Sequence, residues 1–189
     1  MRSLHQLLLF GVFLAAACGD PLALPRAGNL NVVDTVHLYA LSGGTPPRTP
    51  SGYWLGTDQV PSPHPVLIQE GQAFDFVVDL DSAYRPVVKP TGALRLGRNS
   101  GVQTTTLPFD SLRIAPSGGY QLDSAVTLDV GGRAIVHSRT ASCSFGFTAV
   151  FYAKLHILAV DSASRRIDFE ILVDDNCGYR GLELGLPKR

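Results

Sequence analysis

The chain has 189 residues, 45% of them hydrophobic and 17% charged, and its 16 basic residues balance 16 acidic ones. A near-neutral chain without a basic stripe lacks the footprint of nucleic-acid binding, which draws on counterion release, and it steers charged ligands weakly. With 19 glycines, 13 prolines and few helix-type charge ladders, it points toward turns and strands.

Met1 and Arg2 supply a positive start, and Leu7 to Ala17 are apolar except for Gly11. Small residues then lead to Cys18. A charged start, a short apolar core and small residues at a cleavage point are the grammar of a secretory signal. The run is shorter than the ~20 residues needed to span a bilayer. Polar residues interrupt every later apolar run, so no transmembrane helix is expected.

Leu14-Ala15-Ala16-Ala17-Cys18 resembles the lipobox of bacterial lipoproteins, with Ala15 standing where the family most often has Leu. The resemblance implies diacylglycerol on the Cys18 sulfur, cleavage between Ala17 and Cys18, and usually acylation of the new amino terminus. One acyl chain binds membranes marginally, whereas two or more anchor stably. It implies a cell-envelope protein with the membrane as its partner, and Gly19 is compatible with sorting to an outer membrane, facing the periplasm or the cell surface. The competing reading is an ordinary signal peptide with an incidental cysteine.

If Cys18 carries lipid, Cys143 and Cys177 remain as an even pair, which in an exported protein is expected to form a disulfide. Residues 18–30, with Pro21, Pro25 and Gly28, read as a tether, and residues 31–189 as one domain. Val32 to Leu41 alternates as a strand, and Ser42 to Gly52 is a loop. Tyr53 to Leu55 is a short aromatic strand. Pro61, Pro63 and Pro65 predict an extended run without a ladder, followed by an edge strand at Val66 to Ile68. Ala73 to Leu80 places Phe74, Phe76, Val78 and Leu80 on one face, with Asp75, Val77 and Asp79 on the other. Short strands are expected at Val87-Val88, Ala93 to Leu96 and Val102 to Leu107. Val126 to Val130 and Ala134 to His137 flank Gly131-Gly132 as a hairpin.

Phe145 to Val160 and Ile167 to Val173 alternate as a long antiparallel hairpin. Pairing Val160 with Ile167 leaves Cys143 about 23 Å from Cys177 at the usual strand rise. The disulfide therefore requires the ladder to end near Asp174-Asp175-Asn176 or the long strand to bend around Gly146. The fold expected is all-β: a single antiparallel β-sandwich, immunoglobulin-like or related, with a β-barrel as alternative.

Few residue patterns in the chain carry chemistry. No Gly-x-Ser-x-Gly elbow marks a hydrolase nucleophile. His37, His137 and His156 lie in strand patterns, and His64 lies among prolines. No zinc-type spacing occurs, and the glycine pairs lack the features of phosphate loops. Asp79-x-Asp81 and Asp174-Asp175-Asn176 are the better calcium candidates, though Asp79 to Tyr84 misses the EF-hand spacing and strand-end carboxylates usually face solvent or cap a turn. Asp75, Asp79, Asp168 and Glu170 are the carboxylates a glycosidase on this scaffold would need in a shared groove. Tyr53 and Trp54, with Tyr84, Tyr120 and Tyr179 elsewhere, form a possible recognition surface; otherwise Trp54 plugs one end of the sandwich. No catalytic residue, metal or cofactor is assigned. The reading is a lipid-anchored envelope lipoprotein with a non-enzymatic binding, assembly or structural role toward an envelope protein or glycan. The alternative is an envelope hydrolase acting on glycan or peptide.

Overall fold

The computed structural model describes residues 26–56, 62–143, 146 and 148–188. Within them the strands are β1 (Val33–Tyr39), β2 (Gly52–Trp54), β3 (His64–Val66), β4 (Phe76–Leu80), β5 (Pro86–Pro90) and β6 (Gly101–Thr105). They continue as β7 (Val126–Thr127), β8 (Arg133–His137), β9 (Ala141–Ser142), β10 (Thr148–Ala149), β11 (Tyr152–Asp161) and β12 (Arg166–Asp174). One antiparallel sheet runs β1-β12-β11-β8-β6 and a second runs β3-β2-β4-β5-β7, while β9 and β10 form a small ribbon. The two large sheets are open, and the chain is an antiparallel β-sandwich.

Period-two alternation explains the core. From the first sheet, Val36 and Leu38, Leu155 and Ile157, and Ile167, Phe169 and Ile171 point inward. Tyr53, Phe76, Val78, Leu80 and Val88 meet them from the second. Tyr53 stacks on Phe76 at 5.6 Å between ring centroids and meets Phe169 of the opposite sheet edge-on at 6.4 Å. Complete burial of an aliphatic or aromatic side chain of this size contributes roughly 1.5–3 kcal/mol. A smaller cluster covers the outer face of the first sheet, where Phe109, Leu112, Ala115 and Leu182 pack on Ile135 and Leu172. Lys154 is buried beneath it and donates to the Phe109 and Leu112 carbonyls at 2.8 and 3.1 Å.

The β11–β12 hairpin pairs Val160 with Ile167 as expected, but the register shifts by one between Ile157 and Ala159. A bulge inserts one residue and reverses the facing of everything on one side of it. Ala159, expected on the core face, is therefore exposed, while Val160 packs against the core. The ladder stops at Asp174, and β11 begins only at Tyr152. With the pairing thus ended, Cys143 and Cys177 form a disulfide across a Cα separation of 6.0 Å.

Three local expectations are corrected. Val126–Thr127 pairs with β5, whereas Arg133–His137 pairs with β11 and β6, so Gly131-Gly132 carries the chain between sheets rather than closing a hairpin. Gly131 has φ +84°, and the turn is held by the Gly131 N–H on the Ile157 carbonyl (2.8 Å) and the Ile157 N–H on the Gly132 carbonyl (2.9 Å). Residues 93–96 form no strand, because Thr91–Leu94 is a 3-10 turn ended by Arg95 in the left-handed region. Pro65 does enter a ladder, but in the edge strand β3, where a missing N–H is tolerated.

The last part of the expected tether is attached to the domain. The Asn176 side-chain oxygen accepts the Gly28 and Asn29 N–H groups, both at 2.9 Å, and its Nδ2 donates to the Asn29 carbonyl. Ala27 donates to the Tyr179 hydroxyl, and Asn31 exchanges two backbone bonds with Gly185. Ala27 to Asn31 are thus hydrogen-bonded to the body of the domain.

Candidate functional site

A groove of about 470 Å³ opens where β2 ends and β4 begins, lined by Trp54, Gly56, Ala73, Asp75, Asn99, Arg139, Thr140, Ala141 and Ser142. Its position follows from strand ends. Antiparallel pairing of β2 with β4 brings Trp54 near Asp75, and β8 delivers Arg139 just past its last residue.

Asp75 organises the groove floor. It is 1% exposed. One carboxylate oxygen accepts the Leu55 N–H at 2.8 Å, and the other accepts the Arg139 N–H at 2.9 Å and its Nε–H at 3.3 Å. Burial raises its pKa above the usual carboxylate value, and the bonds from Leu55 and Arg139 offset part of that rise. The result is a bracket that ties the end of β2 to the segment after β8. The Arg139 side chain, 36% exposed, reaches from this bracket to the groove surface.

Tyr53 and Trp54 separate in the structure. Side chains alternate across a strand, so Tyr53 enters the core at 1% exposure and takes no part in a recognition surface. Trp54 stays half-buried on the groove wall, edge-on to His64 at 5.3 Å. Tyr84 lies elsewhere, exposed in the turn after β4. Tyr120 packs with His137 and Tyr152 around a second hollow of about 260 Å³, where burial lowers the His137 pKa. Tyr179 holds the amino-terminal segment through Ala27.

The carboxylates do not converge. Asp79 accepts from Lys89 at 2.6 Å and from Ser42 at 2.8 Å. Burial alone would raise its pKa, but these bonds and that from Leu80 hold it below the usual range. Asp81 caps its own turn through Ala83 and Arg85. Asp168 faces His37 at 2.8 Å and Glu170 faces His156 at 2.7 Å, as cross-strand pairs on the outer side of the first sheet. Asp174 is buried and holds the Asn176 N–H and Nδ2. Among the described residues, no three His, Cys, Asp or Glu side chains are grouped to hold a metal ion. Ala17 and Cys18 lie outside the described residues.

Sequence reasoning singled out Trp54 and weighed Asp75, but missed Asn99 and Arg139. Neither carries a local signal: Asn99 lies just before β6 and Arg139 just after β8, each among other polar residues. No protein-family model matches the chain, and no curated protein or solved structure is significantly similar to it.

Proposed function

We propose that the protein is a lipid-anchored envelope lipoprotein that binds a glycan in the Trp54–Asp75–Arg139 groove without catalysing its breakdown. The anchor rests on the lipobox resemblance at Ala15 to Cys18. The binding role rests on the groove's chemistry. An indole face suits the apolar face of a sugar ring, while the Arg139 guanidinium and Asn99 amide suit its hydroxyls.

The observation that carries the choice against hydrolysis is the occupation of Asp75. Glycoside hydrolysis generally uses two carboxyl groups, one of them free to give or take a proton. Among the groove's described lining residues Asp75 is the sole carboxylate, and both its oxygens accept structural hydrogen bonds. Its raised pKa follows from burial, and its bonds serve the fold.

Trp54 is the one tryptophan of the chain, so intrinsic fluorescence reports on this groove directly. Titration with soluble fragments of envelope glycan is expected to shift or quench Trp54 emission saturably. Arg139→Ala should weaken that response roughly tenfold or more, in line with a lost hydrogen bond to a polar ligand of about 1.5–3 kcal/mol. Product formation from any fragment would overturn the non-catalytic reading. An emission that stays unchanged across the glycan series would remove the ligand assignment.

A further inference from the structure

The end of the sandwich that receives the amino-terminal segment also carries a cluster of exposed aliphatic side chains. Asn31 and Gly185 exchange both backbone hydrogen bonds, at 2.9 and 3.0 Å, as an antiparallel pair. Leu30 and Val32 flank one member, Leu184 and Leu186 the other. Asn31 turns inward, donating to the Gly181 and Glu183 carbonyls at 2.7 and 3.0 Å. Its neighbours therefore turn outward, and Leu30 and Val32 are 65% and 54% exposed. Leu184 and Leu186 are 70% and 54% exposed. Leu30 and Val32 adjoin a hollow of about 370 Å³ that reaches Ile171 and Val173 of β12. Ile171 and Val173 are themselves buried core residues, so the exposed aliphatic cluster borders directly on the core.

On the lipoprotein reading of Cys18, the length of chain before the domain bears on what this face meets. Ala27 is fixed to the domain by Tyr179, and Cys18 is nine residues earlier. At about 3.3–3.6 Å per residue, even a fully extended connection holds Ala27 within ~30 Å of Cys18. Leu30 follows three residues after that fixed point. We infer that Leu30, Val32, Leu184 and Leu186 form a second membrane contact, resting on the lipid surface that holds the Cys18 acyl chains. The inference rests on the lipoprotein reading of Cys18.

A short tether makes the second contact intramolecular, so a cluster too small to bind a free protein suffices for an anchored one. Asp34 and Asp175 line the hollow beside it and Glu183 is paired with Arg113, so acidic and basic groups are mixed there and the contact is apolar insertion rather than attraction of a basic rim to anionic headgroups. It should form on neutral lipid and resist salt. Because β8 and β12 end where β1 begins, the Trp54 groove sits at this same end of the sandwich.

The test uses the full, lipid-modified chain reconstituted into neutral phosphatidylcholine vesicles, with a nitroxide attached at Leu184→Cys or at Val130→Cys. Val130 is 59% exposed beside the turn that precedes β8, at the opposite end of the sandwich. Oxygen is expected to relax the label at 184 severalfold more than a water-soluble nickel chelate does, unchanged by high salt, with the reverse order at 130. A label at 184 fully open to the chelate, on vesicle-bound and acylated protein, overturns the contact while leaving the anchor intact. A label at 184 shielded from both reagents overturns it in favour of cover by protein. An amino-terminal peptide lacking the diacylglycerol mass defeats the anchor reading itself, and this contact with it.

Discussion

At the scale of single residues, buried groups near the disulfide carry the clearest consequences. Cys143 and Cys177 are 4% and 7% exposed, and their bond closes a loop of 34 residues. The chain-entropy relation puts the stabilisation at about 3–4 kcal/mol. Cys143→Ser paired with Cys177→Ser is therefore expected to lower the urea-unfolding free energy by about that amount. The effect should also loosen the amino-terminal segment, because Asn176 and Tyr179, which hold it, flank Cys177 in the chain. Hydrogen exchange at Gly28 and Asn29 would report this.

Asp174 makes a pH-dependent prediction. Burial pushes its pKa up to about 6, and the adjacent Asp175 charge adds to the rise against the bonds from Asn176. An acid with a raised folded-state pKa binds more protons folded than unfolded between the two values. Its contribution is fully present below about pH 4 and is lost as pH rises through about 6. Asp174→Asn keeps a neutral acceptor for Asn176 at all pH values. The variant should match the parent below pH 4 and exceed it at pH 8 by on the order of 2 kcal/mol. Thermal melts across that range check it, and a variant less stable at pH 8 would contradict the assignment.

At the scale of elements, the first sheet is packed on both sides, and Lys154 of β11 shows how the outer side is held. Its ammonium lies 4.4 Å from the Phe109 ring centroid and donates to two carbonyls of the covering segment. Burial lowers its pKa, and Asp110, Glu170 and Glu183 act in the opposite direction. Lys154→Met preserves the aliphatic stem but leaves the Phe109 and Leu112 carbonyls without that donor. The expected loss is roughly 1–3 kcal/mol, with faster proteolysis within 108–116. Alternation along β11 does not reveal this role, since Lys154 occupies a non-core position that usually faces water. The segment containing Phe109 and Leu112 is what buries it.

At the scale of the whole molecule, the groove and the attached amino-terminal segment share one end of the sandwich, which on the proposed reading would set glycan binding beside the anchor. On the lipoprotein reading, Cys18→Ser is expected to shift the protein from the membrane fraction to the soluble one, or to leave an unprocessed precursor of higher mass. Trp54 emission in response to glycan should persist in the released domain, because no groove residue depends on the lipid. Unchanged fractionation and mass would contradict the anchor. The disulfide and the sandwich stand independently of that outcome.

Much of this protein was legible in its sequence because side-chain facing in a strand is a local property with a period of two. The core faces of β4 and β12, and of β11 as far as Ile157, follow from that alternation, as does Val160 opposite Ile167. The pairing of Cys143 with Cys177 followed from counting, once Cys18 was set aside. What no local pattern encodes is which strands share a sheet and where a ladder slips. Gly131-Gly132 has hairpin chemistry, yet its flanking strands found better partners in opposite sheets. A single extra residue near Leu158 reversed the facing of Ala159 and Val160. The groove depends most on tertiary structure: Trp54, Asp75, Asn99 and Arg139 lie far apart in the chain and meet because strands from both sheets end at the same place. Packing also divided Tyr53 from Trp54. Tyr53 packs on Phe76 and Phe169 in the core, and its strand neighbour Trp54 is left facing the groove.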